Sequence, residues 1–549
     1  MDRKPFERRF ADLKQETEKW FPLWSDEQAY IDPARGRFHA EPNRGDKLNH
    51  KKLLDNTPTR ANTTLASGML SGLTSPSRPW FKLGLSDPGL NKYTPARHWL
   101  DDVQERMMAV FSKSNIYNSL HSVYQELGQF NTSAMMLIED FENVIRARTF
   151  TAGEYYLGTG HDLRVNTFAR EIWMTIGQMK DMFGYNNLSD STQKQYDNNQ
   201  LFEWRKVYHM IEPNDGRKPD KKDAQNMPFR SVYWEDGAED EKFLRVAGYE
   251  EFPVFAPRWD VVSSDVYSRN GPGAHSLGDC KGLMKSRKDY FMILDKIADP
   301  PLNAPATLET KGGVNFLPGG VNYVGDTAQN IKVEPAYTTA PRLQEITMDI
   351  QDMRNSIKET FFVDMFLMLA NSDRRQITAR EVAERHEEKL LMLGPVLERL
   401  EAELLDPLID RTFNVMLRAG ILPPPPQELQ GGNLKVEYIS MLAQAQKMVG
   451  TTTVEQLSAY VGSLTAVVPE VIDKFNADKA VDSYADMLGV ESELIRGEEE
   501  VAEIRKRRAE MIQQQQQMEQ AQAAAQGAKV LSETRVGENS ALDALLGGG

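Results

Sequence analysis

SLGDCKGLMKSRKDYFMILDKIA, residues 276–298, and PRLQEITMDIQDMRNSI, residues 341–357, together decide the fold. In the first, Lys281, Lys285 and Lys288 fall at i, i+4 and i+7 on one helical face, with Leu283, Tyr290, Leu294 and Ile297 on the opposite side. Asp299-Pro300-Pro301 stops it. In the second, Pro341 suits a first helical position. Leu343, Ile346, Ile350, Met353 and Ile357 then step 3-4-3-4, and Glu345, Asp349, Asp352 and Glu359 follow another side. Between them lie Gly312-Gly313, Pro318-Gly319-Gly320 and Gly325, separating short β-prone pieces Val314–Leu317 and Val321–Val324. The pattern predicts two helices that frame a compact insertion and return antiparallel. The basic and acidic stripes can pair within a subunit or between neighbours, or simply form two solvated faces.

Downstream, Leu367 to Gln376 reads as a break. A capping box, Thr378 with Glu381, opens a long helix to about Ala419, with Leu390, Leu393, Leu397, Leu400, Leu404 and Leu408 on one face. Pro395 and Pro407 are expected to kink it and Gly420 to close it. Pro423–Pro426 is a stiff link, and residues 437–495 read as further helices. The charged, then Gln- and Ala-rich tail from Glu498 reads as helical to about Ala525 and mobile beyond.

Upstream, residues 1–32 look helical up to Asp32-Pro33. A small-residue helix, Ala61 to Leu70, turns through Gly72-Leu73-Thr74-Ser75-Pro76 into an extended Trp80-Phe81-Lys82-Leu83. Residues 95–130 read as helix, interrupted near Ser112–Asn115. From Ala134 to Phe255 the pattern is short strands, among them Ala134–Glu139, Val144–Thr149 and Trp204–Ile211, with one helix expected over Ala169–Phe183. The fold class is therefore α+β, mainly helical.

The bulk properties narrow the function. Hydrophobic residues are 40% and charged residues 26%, which are globular values, and 549 residues suffice for several domains. A net charge of −15 disfavours a simple DNA-binding domain, which needs Lys and Arg to neutralise phosphates. No apolar run is long enough for a transmembrane helix, and the start shows no apolar signal stretch, so no membrane partner is expected. A single cysteine, Cys280, excludes an intrachain disulfide and suits synthesis in a reducing cytoplasm.

Enzyme signatures are missing. There is no P-loop, which argues against a packaging ATPase. Gly158-Thr159-Gly160 lacks the third glycine of a dinucleotide loop, and Gly271-Pro272-Gly273 reads as a turn. His386-Glu387-Glu388 lacks the second histidine of a zincin, and no G-x-S-x-G elbow occurs. Asp101-Asp102 and Glu139-Asp140 are ordinary surface acidic pairs. No catalytic residue, cofactor or metal is expected. Arg374 and Arg375, adjacent in the break, are either solvated or placed to touch phosphates.

Three stretches carry a resemblance. Leu65-Ala66-Ser67-Gly68-Met69-Leu70-Ser71-Gly72-Leu73-Thr74-Ser75-Pro76-Ser77-Arg78-Pro79-Trp80-Phe81 is similar to the LASG-x-x-SGLTSP-x-RPWF stretch of the phage portal, or head-to-tail connector, family. Gly271-Pro272-Gly273 with Asp279, Lys281 and Leu283 resembles the family's GRGPG…D-x-K-x-L entry to a first stem helix, Asn270 departing from the pattern. Thr378-Ala379-Arg380-Glu381-Val382 with Glu384 and Glu387, then Leu393-Gly394-Pro395-Val396-Leu397-Glu398-Arg399-Leu400, resembles its TA-x-EV…E…LGPV-x-x-RL. The resemblance spans about residues 5–500.

It implies a structural subunit of short-tailed double-stranded DNA phages. The subunit would form a dodecameric ring at one capsid vertex, around a channel for DNA packaging and ejection. Implied partners are further copies, double-stranded DNA, the large terminase subunit, scaffold and major capsid proteins, and tail adaptor proteins. It maps a wing to 1–275 and 377–445, a stem to 276–299 and 341–366, a clip to 300–340 and a tunnel loop to 367–376. A crown follows at 446–500, and a C-terminal barrel helix and tail at 501–549. Arg374, Arg375, Lys281, Lys285, Lys288, Glu345, Asp349 and Asp352 become candidates for DNA-proximal channel positions, and the acidic balance suits a low-friction wall. Two other classes compete. One is a DNA-processing enzyme. The other is a helical scaffold or adaptor without a ring, which has no need of the 300–340 insertion.

Overall fold

The computed structural model describes residues 2–38, 50–85, 94–221, 223–238, 242–298, 302–303, 334–335, 343–370, 392–426, 434–440, 452–465, 468–481 and 498–533. The chain forms two compact units, Met1–Thr452 and Thr453–Gly549. The architecture is mixed α+β and mainly helical, as the sequence pattern predicts.

The first unit opens with α1 (Lys4–Glu18) and α2 (Phe21–Tyr30), two helices where one stretch was expected. Pro22, the second residue of α2, accounts for the break, because it has no N–H to continue the ladder from α1. The small-residue helix is α3 (Thr57–Leu73), followed by strand β1 (Phe81–Leu85), α4 (Thr94–Lys113) and α5 (Ile116–Phe130). Strands β2 (Ala134–Asp140), β3 (Val144–Phe150), β4 (Tyr156–Thr159) and β5 (Val165–Thr175) come next. Then come α6 (Ile176–Phe183), α7 (Asp190–Asp197) and strands β6 (Trp204–Pro213), β7 (Phe229–Glu235), β8 (Arg245–Tyr249) and β9 (Val254–Phe255).

The expected helix over Ala169–Phe183 is thus half wrong. β5 occupies its first part, paired with β4 and β6 inside an antiparallel sheet of order β4-β5-β6-β7-β8. Phe168, Ala169 and Arg170 are all buried, so the interior strand lacks the clean alternation that would have betrayed it. The helix begins only where Thr175 and Gln178 form a reciprocal capping box. α1 lays Phe6, Phe10 and Leu13 on one face of this sheet, against Tyr156, Met210, Val232 and Trp234. A second sheet, β3-β2-β9, shares a core with Trp24, Phe130 and Tyr267.

The two decisive stretches are α8 (Pro272–Ala298) and α9 (Leu343–Thr360). Between them β10 (Leu302–Asn303) pairs antiparallel with β11 (Glu334–Pro335), pinching the base of the insertion. The β-prone pieces at 314–317 and 321–324 lie outside the described residues. α10 (Val363–Ala370) follows α9 after a break at Phe361-Phe362, where Phe362 has φ +53°. Helix therefore covers 367–370, where a break was expected, and the actual break comes earlier.

The leucine-rich helix is described as α11 (392–400), a π-turn at Glu401–Leu405 and α12 (Asp406–Arg418). The wide turn falls just before Pro407, where a proline denies the regular ladder a donor. Pro395 sits within α11 without ending it. Leu393, Leu397, Leu400, Leu404 and Leu408 are buried in the main helical core with α3, α4, α5 and α10. Leu390 and the Thr378–Glu381 capping box lie outside the described residues. β12 (Leu434–Tyr438) returns to pair with β1, so the extended Trp80–Leu83 piece becomes a true strand.

The second unit begins within α13 (Thr452–Thr465) and carries α14 (Glu498–Glu533), which runs eight residues past Ala525. Most of the helical reading of 437–495, and the tail past Glu533, lie outside the described residues. No described helix is long and apolar enough to cross a membrane.

Candidate functional site

Three contacts fix how α8 and α9 pair. Ser356 Oγ donates to Asp279 Oδ2 at 2.6 Å, and Ser286 Oγ donates to Asp349 Oδ2 at 3.3 Å. A Cβ on Gly282 would stand 3.0 Å from Met353 Sδ. As the number rises on one helix it falls equally on the other, so the pair is antiparallel in a single register. Ile350 and Ile357 of α9 and Leu283 of α8 turn into the main core.

That register decides where the charged stripes go. Asp279, Gly282 and Ser286 face α9, and Lys281, Lys285 and Lys288 lie roughly 120° around α8, at 100° per residue. Among the described residues, Lys281, Lys285 and Lys288 therefore make no ion pair with the acidic stripe of α9. Lys281 Nζ instead pairs with Asp26 Oδ2 at 2.7 Å and stands 5.7 Å from the centre of the Tyr30 ring, both on α2. Lys285 and Lys288 are exposed and have no ion pair among the described residues. Asp349 takes the Ser286 hydroxyl, Glu345 is exposed beside Ile346 and Met292, and Asp352 is exposed without an ion pair among the described residues. Arg374 and Arg375 lie outside the described residues.

The N-terminal end of α8 explains the Gly271-Pro272-Gly273 motif, and corrects its reading as a turn. The helix starts at Pro272 rather than near Ser276. A Cβ on Gly273 would fall 1.9 Å from the Gln129 carbonyl oxygen, and one on Gly271 would fall 2.1 Å from Asn131 Oδ1. Only glycine lets the helix start press against the end of α5. Gly68 of α3 plays the same part, since its Cβ would overlap the Phe366 side chain at 2.3 Å. Two of the three quoted motifs are thus packing seams.

The family model described as "Bacteriophage head to tail connecting protein" matches residues 3–495. The chain belongs to this head-to-tail connecting family. It is 44% identical over 539 residues to a protein named "Portal protein" from Salmonella phage epsilon15, covering 98% of this chain and 97% of that one. It is 44% identical over 528 residues to a "Probable portal protein" from Bordetella phage BPP-1, covering 96% and 94%. A solved structure titled "Neck of empty GTA particle computed with C6 symmetry" covers 80% of this chain and 94% of its own at 9% identity, with a TM-score of 0.36, a likeness too weak to bear on the fold. Members of the connecting family are structural virion proteins, not enzymes.

Sequence reasoning missed a charge cluster of this connector that three separate segments build. Asp55, buried just before α3, accepts from Arg354 Nε at 3.1 Å and Nη2 at 2.7 Å on α9, with Arg287 Nε of α8 at 3.6 Å. Thr57 donates to it through both its backbone N–H and its hydroxyl. Burial alone would raise the Asp55 carboxyl, but the hydrogen bonds from Thr57 and Arg354 win and hold it below the usual carboxylate value. Around it opens a cleft of about 640 Å³ lined by Arg60, Arg287, Arg354 and Lys358, with Asp55 its only carboxylate among the described residues. No sequence spacing joins residues 55, 60, 287 and 354. Only the return of α9 along α8 brings them together.

Proposed function

We propose that the chain assembles as a dodecameric ring around a channel through which double-stranded DNA enters and leaves the capsid. The observation that carries this reading is the antiparallel α8–α9 pair in one register, closed at the base of the insertion by β10–β11. An antiparallel helical hairpin of this kind suits a ring-lined channel, in which α8 and α9 form the stem and 300–340 the clip. The remaining assignments are a wing at 1–275 and 377–445, a tunnel loop at 367–376, a crown from about 446 and a barrel helix at 501–549. The boundary between the two compact units at Thr453 fits the start of the crown.

The net charge of −15 favours a wall that lets a polyanion slide. Arg374 and Arg375 are the DNA-proximal cations in this reading. Lys285, Lys288, Glu345, Asp349 and Asp352 belong to faces that meet the channel or a neighbour. Exposed Phe291, Met292 and Ile297 on α8 and Met348 on α9 support burial against another chain. The large terminase subunit, scaffold and major capsid proteins, and tail adaptors are the partners proposed for the two ends.

The test is the mass of the purified particle by native mass spectrometry, with negative-stain images of the same sample. A ring near twelve subunits with a central hole is expected. A monomer or dimer that persists when scaffold protein is co-expressed would overturn the ring and favour an adaptor.

A further inference from the structure

We infer that the Arg60–Arg287–Arg354–Lys358 cleft is the receiving half of the lateral contact between subunits, and that the Asp352–Glu359 face of α9 on the next copy docks against it. The inference rests on the ring reading above.

The charge count within the cleft is unbalanced. Four cationic side chains surround one carboxylate, and Asp55 is already committed to Arg354, Arg287 and Thr57. Arg60 and Lys358 are exposed and have no ion pair among the described residues. Among the described residues, Arg287 Nε is buried with the 3.6 Å ion pair to Asp55 but no hydrogen-bond partner, and its guanidinium lies 4.7 Å from the Phe291 ring centre. In a chain of net charge −15, such a concentration of unspent positive charge asks for an anionic partner.

The partner is present on α9 itself. Asp352 and Glu359 are exposed and have no ion pair among the described residues. They lie roughly 120° around the helix from Gln351, Arg354 and Lys358, at 100° per residue. One flank of the helix is therefore cationic and another anionic, and a single chain cannot bring them together.

A cyclic ring can. Its interfaces are heterologous, one flank of each copy meeting the other flank of the next. Rotation about the ring axis leaves every residue at its own height. Residues 352, 354, 358 and 359 span about 10 Å of one helix at 1.5 Å per residue. The carboxylates of one copy therefore stand level with the cations of its neighbour. Arginine forks match carboxylates in two-point contacts, and such pairs set register and partner choice. With every subunit strongly acidic, matched rows at the seam also offset the repulsion between copies.

The test uses the full chain and two charge-reversed versions. One carries Arg60→Glu and Lys358→Glu, the other Asp352→Lys and Glu359→Lys. All four side chains are exposed, so circular dichroism melts should match the wild type. Each version alone is expected to need a concentration roughly tenfold higher or more to form rings, because like charges then face each other at every seam. Mixing the two versions is expected to restore rings containing both, seen as hybrid masses by native mass spectrometry.

Rings at wild-type yield from either version alone would overturn the inference. So would folded versions that fail to assemble when mixed. If the Arg60→Glu, Lys358→Glu version kept its rings but lost affinity for duplex DNA, the cleft would be a phosphate site instead. A wild-type chain that makes no ring would overturn the ring reading, and this inference with it.

Discussion

Single residues show where close packing leaves no choice. Gly273 meets the Gln129 backbone, which cannot rotate away, so Gly273→Ala is expected to destabilise the first unit by about 2 kcal/mol or more. Gly278, five residues along the same helix, has nothing within 4 Å of an added Cβ. Gly278→Ala should instead stabilise by up to about 1 kcal/mol through helix propensity. Urea unfolding of the two variants checks both signs.

Glu27 is a second such residue. Burial pushes its carboxyl well above the usual range, the hydrogen bond from Asn131 opposes this, and the neighbouring Asp26 adds to it. A carboxyl whose folded pKa is raised binds its proton more tightly folded than unfolded. Its contribution is therefore present below the unfolded value of about 4.3 and is lost as pH rises toward the folded one. Glu27→Gln should raise stability at pH 7 by about 1 kcal/mol and flatten the fall in urea midpoint above pH 5. An unchanged slope would place Glu27 outside the pH dependence.

Among the elements, the α8–α9 pair was the most legible, because both helices carry a 3.6-residue period over several turns. Its register was not legible, since either helix could slide by a turn and keep an apolar face inward. Ser286–Asp349 and Ser356–Asp279 fix it. In a Cys280→Ala background, Ser286→Cys with Asp349→Cys should be bridged readily by a short bifunctional maleimide. Ser286→Cys with Ser356→Cys should not, being two turns out of step. Equal yields from the two pairs would mean the helices slide. The native Cys280 thiol, buried and pushed up to about 12 by that burial, should resist alkylation until the chain unfolds. The 169–175 segment was misread for the opposite reason, the interior position of its strand in the sheet removing the alternation that marks a half-exposed strand.

For the molecule as a whole, the division at Thr453 separates a unit with extensive apolar cores from one whose long α14 is polar on nearly every side. A helix with no apolar stripe gains little from packing on its own chain. Removing residues 498–549 is therefore expected to leave the thermal midpoint of the first unit within about 2 °C of the full chain by circular dichroism, a shift of about 2 kcal/mol or less for a unit of this size. A larger drop would show that α14 supports the first unit directly.

The amino-acid sequence by itself determined the mixed, mainly helical class, the helix–insertion–helix order, the buried leucine row and the motifs of the connecting family. These rest on local periods, on proline and glycine stops, and on residue order, all of which are written along the chain. The tertiary structure alone decided that Lys281 binds Asp26 rather than an acidic residue of α9. It also decided that Gly68, Gly271 and Gly273 are packing seams, and that Asp55, Arg60, Arg287 and Arg354 share one cleft. Those facts depend on distances between residues far apart in sequence, fixed by the one register in which the two helices bury their apolar sides, and no local pattern carries that information.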